Sequence, residues 1–158
     1  MSASAACDLV AQEAWLLNTA AWDEWDALFS PSGAYWMPLS MDQTSHKDHV
    51  SLMYDTRALR AARLTRLKTQ DGLSIETPVR AIRHLSNVQA APAAENAGYD
   101  WHVRAAVMMA QYARGQVETF HALVQWHLQA TASGLMIELK RADLLNGEGG
   151  LSDILVYV

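Results

Sequence analysis

The hydrophobic period of this sequence changes at Pro78: apolar residues before it recur at helical spacing, and those after it at every second position. Four runs carry the alternation, Val79 to Ala91, Trp101 to Tyr112, Val117 to Ala130 and Leu135 to Leu145, and a shorter fifth is expected at Ile154 to Val158. The third run shows it best. Phe120, Ala122, Val124, Trp126 and Leu128 share one face, while Thr119, His121, Gln125 and His127 share the other. One side of such a sheet packs on a core, and the other meets solvent or a partner. Ala113-Arg114-Gly115 and Ala132-Ser133-Gly134 supply hairpin turns, and Pro92 to Gly98 is a loose connection without period.

Ahead of the strands the pattern is helical. A first helix is predicted over Ser4 to Asn18, with Leu9, Leu16 and Leu17 on one side, and a short acidic one over Ala21 to Phe29. Ser30-Pro31-Ser32-Gly33 reads as a turn, and Ala34 to Met37 as a short strand stopped by Pro38. Ser40 to Asp48 reads as a loop, followed by a long helix from His49 to Thr69, free of Gly and Pro, that Gln70-Asp71-Gly72 breaks. Helices followed by antiparallel strands make an α+β fold with the helices on one sheet face. At 158 residues the chain is expected to be one domain.

Composition narrows the function. The apolar and charged fractions, 51% and 18%, are globular rather than disordered values. No apolar run approaches the roughly 20 residues that span a bilayer, and Met1 to Ala6 lacks the basic start of a secretory signal. Cys7 is the single cysteine, so no intrachain disulfide is expected and a cytoplasmic location is the default. A formal charge of -5 argues against nucleic-acid binding. Arg57, Arg60, Arg63 and Arg66, spaced by three, drift around a helix and are expected to form a solvated face.

The motifs for chemistry are sparse. One cysteine excludes a Rieske cluster, which takes two Cys and two His, and excludes Cys-rich zinc. The sharpest remaining metal-type pattern is Asp42 with His46-x-x-His49, in a polar loop with nothing regular to orient it. His121 and His127 share parity but lie about 20 Å apart along an extended strand, too far for one ion, while His102 lies on the preceding run. No nucleophile-elbow, P-loop or dinucleotide fingerprint is present, and Gly147-x-Gly149-Gly150 is a turn. A cone-shaped α+β domain can enclose a pocket, and Asp26, Tyr35, Asp55 and His84 are candidates to line it. A buried carboxylate beside a histidine would serve proton abstraction or dehydration. The plainer reading leaves Asp26 exposed and His84 in the core. Among six tryptophans, Trp36 and Trp126 fit the core, whereas Trp22 and Trp25 on the short acidic helix point to a protein interface.

Several strings carry a family resemblance. Glu13-Ala14-Trp15-Leu16-Leu17-Asn18, Trp22-Asp23-Glu24-Trp25 through Leu28-Phe29, and Tyr35-Trp36-Met37-Pro38-Leu39 occur in order. Tyr54-Asp55-Thr56-Arg57-Ala58-Leu59, Arg63 to Thr69, and Arg83-His84-Leu85-Ser86-Asn87-Val88 follow. Together they resemble the small (beta) subunits of aromatic-ring-hydroxylating dioxygenases over about residues 9 to 90. The last string is one residue shorter than is usual in that family, so a bulge or shifted register is expected there. Asp71 to Thr77 lacks the tryptophan and double proline common before it.

The resemblance implies an NTF2-like, cystatin-like fold, a strongly curved antiparallel sheet around helices, and a structural subunit without its own cofactor. It implies a large alpha subunit holding a Rieske 2Fe–2S cluster and a mononuclear Fe(II), and an assembly of three alpha and three beta chains with beta–beta contacts. The assembled enzyme would add both atoms of O2 to an aromatic ring in aromatic-compound catabolism. No catalytic, cofactor or metal residue is then expected in this chain. The interface candidates are Trp22, Trp25, Arg57, His84, Asn87, His121, Gln125 and His127. The alternative is a stand-alone dehydratase or isomerase of the same fold, using Asp26, Tyr35 and His84.

Overall fold

The alternating half of the sequence builds most of a six-stranded open sheet. A computed structural model describes residues 1–69 and 79–158. The elements are α1 (Ala3–Asn18), α2 (Trp22–Asp26), β1 (Phe29–Pro38), β2 (Ser51–Asp55), α3 (Arg57–Thr69), β3 (Arg80–Pro92), β4 (Trp101–Ala113), β5 (Gln116–Thr131) and β6 (Gly134–Leu144). The strand order is β2-β1-β6-β5-β4-β3, with β1 and β6 parallel and every other pair antiparallel. The four long strands fall within a residue or two of the predicted runs. The β4–β5 hairpin closes on Arg114 and Gly115, both at positive φ (52° and 78°), the conformation that a two-residue turn needs to match strand twist.

The face of β5 read as apolar is the core face. Phe120, Ala122, Val124, Trp126 and Leu128 are buried beside Val103, Val107 and Met109 of β4 and Ile137, Ala142 and Leu144 of β6. Helix α1, capped by the Ser2 hydroxyl accepting from the Ala5 N–H at 3.2 Å, lays Ala6, Leu9, Val10, Ala14 and Leu17 on that face.

Four expectations are corrected. Helices and sheet are not segregated along the chain, because the first half supplies two of the six strands. Ser30 to Gly33 is no terminating turn but an irregularity inside β1, where register against β6 shifts between Phe29 and Ala34. The long helix starts at Arg57, not His49: residues 51–55 pair with β1, Met37 facing Met53 and Trp36 facing Tyr54. Leu52-Met53-Tyr54 suits either period, and the free edge of β1 together with the Trp36 Nε1 bond to Ser51 Oγ (2.9 Å) selects the strand. Residues 154–158 form no strand; they are held by side chains instead. The break expected at Gln70-Asp71-Gly72 and the stretch up to Pro78 lie outside the described residues.

Register decides what each sheet face presents. The short Arg83 to Val88 string does carry the bulge expected of it: pairing with β4 shifts between Ser86 and Gln89, and Asn87 takes φ 54°.

Candidate functional site

Two surfaces of the sheet collect chemistry, the interior beneath the helices and the open outer face. The interior is polar for a core. Glu13 and Lys140 are both nearly fully buried and bond at 2.7 Å, and Glu13 Oε1 also accepts from Trp25 Nε1 at 2.6 Å. Burial lowers the Lys140 pKa, against the opposing pull of Glu13. Arg60, 1% exposed, donates Nε to Asp26 at 2.8 Å and Nη1 to the Gly33 carbonyl at 2.5 Å, with its guanidinium over Phe29. Asp55 accepts from Arg63 through both oxygens and from the Tyr157 hydroxyl at 2.7 Å. Arg83 donates Nε to the Tyr157 carbonyl at 2.9 Å, and burial pushes its pKa down to about 10. The Tyr35 hydroxyl accepts from the Val158 N–H at 3.3 Å, and burial raises its pKa.

These contacts decide what the interior can do. The carboxylates of Glu13, Asp26 and Asp55 are each engaged by a cation, so none is held as a free base. Tyr35 and Asp55 face each other across β1 and β2, but His84 is exposed on the opposite side of the sheet, beside buried Arg83. The structure therefore does not bring Asp26, Tyr35 and His84 together. The plainer reading fails at His84 too, since it is not in the core. Asp42, His46 and His49 do not converge either: His46 stacks on Tyr54 at 3.9 Å, and among the described residues no group of three His, Cys, Asp or Glu is placed to hold a metal.

The outer face gathers most of the interface candidates. Register places His84, Met108 and His121 in one row across β3, β4 and β5, then Ser86, Ala106 and Leu123, and then Arg104 and Gln125. Farther along, His102 pairs with His127, which stacks on Tyr99 at 3.9 Å. Burial, then His102, lowers the His127 pKa to about 4. His102 Nε2 lies 3.0 Å from Gln125 Oε1. A mostly apolar groove of about 640 Å³ runs past His84, Met108, His121, Leu123 and Leu145, and the side chains of Leu123, Leu145 and Met108 are exposed. Asn87 lines the adjoining groove. The remaining candidates sit elsewhere. Trp25 is fully buried under α1, Trp22 is half-buried against the core, and Arg57 is exposed at the start of α3. The exposed tryptophan is Trp15, at 68%. Nor do the four arginines form a solvated face, because Arg60 is buried and Arg63 is held by Asp55.

Sequence reasoning missed Glu13, Arg60, Gln111, Lys140 and Tyr157. Strand parity carried a signal for two of them. Lys140 shares parity with Ala142 and Leu144, and Gln111 with Val107 and Met109, all facing the core. Helical spacing carried one for Glu13, four residues past Leu9 and four before Leu17. Nothing local marks Tyr157.

Comparison with known proteins adds the family context. A family model described as "Ring hydroxylating beta subunit" matches residues 12–147. A 2-halobenzoate 1,2-dioxygenase small subunit from Burkholderia cepacia is 30% identical over 144 residues, covering 85% of this chain and 83% of its own. The beta subunit of a benzoate 1,2-dioxygenase from Burkholderia mallei superposes with a TM-score of 0.72 at 23% identity, covering 95% of this chain and 93% of that one. A naphthalene 1,2-dioxygenase with indole bound in its active site gives 0.77 at 19%, covering 96% and 83%. An NTF2-like protein with a cystatin-like fold from Novosphingobium aromaticivorans gives 0.60 at 16%, covering 89% and 79%, so the NTF2-like, cystatin-like class expected of the fold is the one observed.

Proposed function

Because this chain belongs to the ring-hydroxylating beta subunit family, we propose that it is the non-catalytic small subunit of an aromatic-ring-hydroxylating dioxygenase, its 158 residues acting as one domain. Its partner is an alpha subunit that holds a Rieske cluster and a mononuclear iron and adds O2 to an aromatic ring. One observation supports the structural role most directly: the interior side chains that a cone-shaped enzyme would use are already paired with one another and with residues 157 and 158. The outer face, by contrast, offers exposed apolar side chains beside histidines, a surface suited to another protein. No helix among the described residues is long and apolar enough to cross a membrane. A cytoplasmic setting and a three-plus-three assembly complete the reading.

Co-expression with a Rieske-type alpha subunit of the same family of enzymes tests the proposal. The two chains should co-purify in equal ratio. Given a reductase and a nicotinamide donor for the two electrons that dihydroxylation consumes, the complex should dihydroxylate the ring and this chain without the alpha subunit should not. An isolated chain that turns over a substrate overturns it. The alternative with Asp26, Tyr35 and His84 as a catalytic set gains no support from their placement, and His84→Ala separates the two readings: weakened assembly fits the subunit, and loss of lyase or isomerase turnover fits the enzyme.

A further inference from the structure

Residues 153–158 run from the exposed Asp153 into the interior, where Val156, Tyr157 and Val158 are buried, without joining the sheet. Side chains grip this segment as they would a bound peptide. The buried amide of Gln111 donates to the Asp153 carbonyl and accepts from the Leu155 N–H, both at 2.9 Å. Arg83 takes the Tyr157 carbonyl, and the Tyr35 hydroxyl takes the Val158 N–H. No strand ladder has to break for the segment to leave.

Tyr157 is its anchor. The ring lies 4.5 Å from Trp25 at 30° and 4.8 Å from Tyr35 at 68°, with the Arg63 guanidinium 5.9 Å from its centre. Its hydroxyl donates to Asp55, a carboxylate only 3% exposed. Aromatic walls, a fixed acceptor at the para end and a cation above the ring make a complementary cage for one chemical group. A pocket serving stability alone would do as well with apolar side chains, because burying the Asp55 carboxylate carries a desolvation penalty.

We propose that the interior beneath the helices is a phenol-binding site occupied by the chain's own Tyr157, and that a para-substituted phenol takes the site when this side chain is absent. Selectivity comes from Asp55: a phenol restores its hydrogen bond, and a hydrocarbon of the same shape leaves the carboxylate short of a partner.

The test uses the full chain with Tyr157→Gly and the probe 4-methylphenol, which has the structure of the missing side chain, against toluene. Calorimetry and quenching of Trp25 fluorescence should show 4-methylphenol binding at least tenfold more tightly than toluene. Adding Asp55→Asn should reduce that preference severalfold, and the unmutated chain should bind neither probe. Equal affinity for both probes, or no binding by the folded variant, overturns the proposal. Should Tyr157→Gly not fold alone, refolding with each probe decides it. Recovery at lower 4-methylphenol than toluene supports the site, and recovery with both equally or with neither overturns it. The readout is ligand affinity rather than co-purification, so it is independent of the assembly role.

Discussion

At Gly33 a Cβ would stand 2.4 Å from the Ile137 carbonyl oxygen, backbone that cannot step aside without parting β1 from β6. Gly33→Ala should therefore lower stability by about 3 kcal/mol, at the upper end of overpacking costs, as read from urea midpoints. Lys140 makes the complementary case. Lys140→Met leaves the Glu13 carboxylate buried with only the Trp25 indole and should cost about 3–5 kcal/mol. The double variant Glu13→Leu with Lys140→Met should be more stable than Lys140→Met alone, because no charge then remains uncompensated. A double variant no more stable than the single one would show that the pair is not coupled. His127 gives the pH dependence. Its folded pKa, about 4, lies below the ordinary value of 6.5, so the folded state binds fewer protons between them. Stability from this residue is fully present above about pH 6.5 and is lost as pH falls toward 4. His127→Gln should flatten the stability profile across that window.

At the scale of elements, the bulge in β3 is a small device with a large reach. It holds Asn87 in the left-handed region, and past it β3 pairs with β4 in a shifted register. Asn87→Gly should be nearly neutral, whereas Asn87→Val should cost about 1–2 kcal/mol and weaken β3–β4 pairing, visible as faster amide exchange along both strands. The four long strands were legible because each alternates over ten residues or more, and their turns carry residues suited to positive φ. Strand β2 was not legible. Five residues cannot separate a period of two from one of 3.6, and the choice rested on the edge of β1, a partner distant in sequence.

For the whole molecule, the two sheet faces divide the work. The inner one is closed by helices and by residues 156–158, and the outer one remains open. Leu123→Glu, at a side chain 55% exposed, should leave folding stability within about 0.5 kcal/mol yet reduce co-purification with the proposed alpha subunit. Assembly that is unchanged by this variant would move the interface elsewhere on the surface. Trp25 shows how sequence misled at this scale, because a tryptophan on a short acidic helix looked like an interface residue. It is instead buried, with its indole N–H satisfied by Glu13.

The alternation past residue 79 determined on its own the four long strands and which side chains share a face, since strand period is a local property of the backbone. The family strings, present in order along the first half, were likewise readable by eye. What lay across the sheet from what was not. The pairing of Glu13 with Lys140, of Arg60 with Asp26, and of Tyr157 with Asp55 joins residues 127, 34 and 102 positions apart. Only closure of the tertiary structure brings such groups within hydrogen-bonding distance, and only burial there makes each pairing necessary. The same closure put His84 outside and Tyr157 inside.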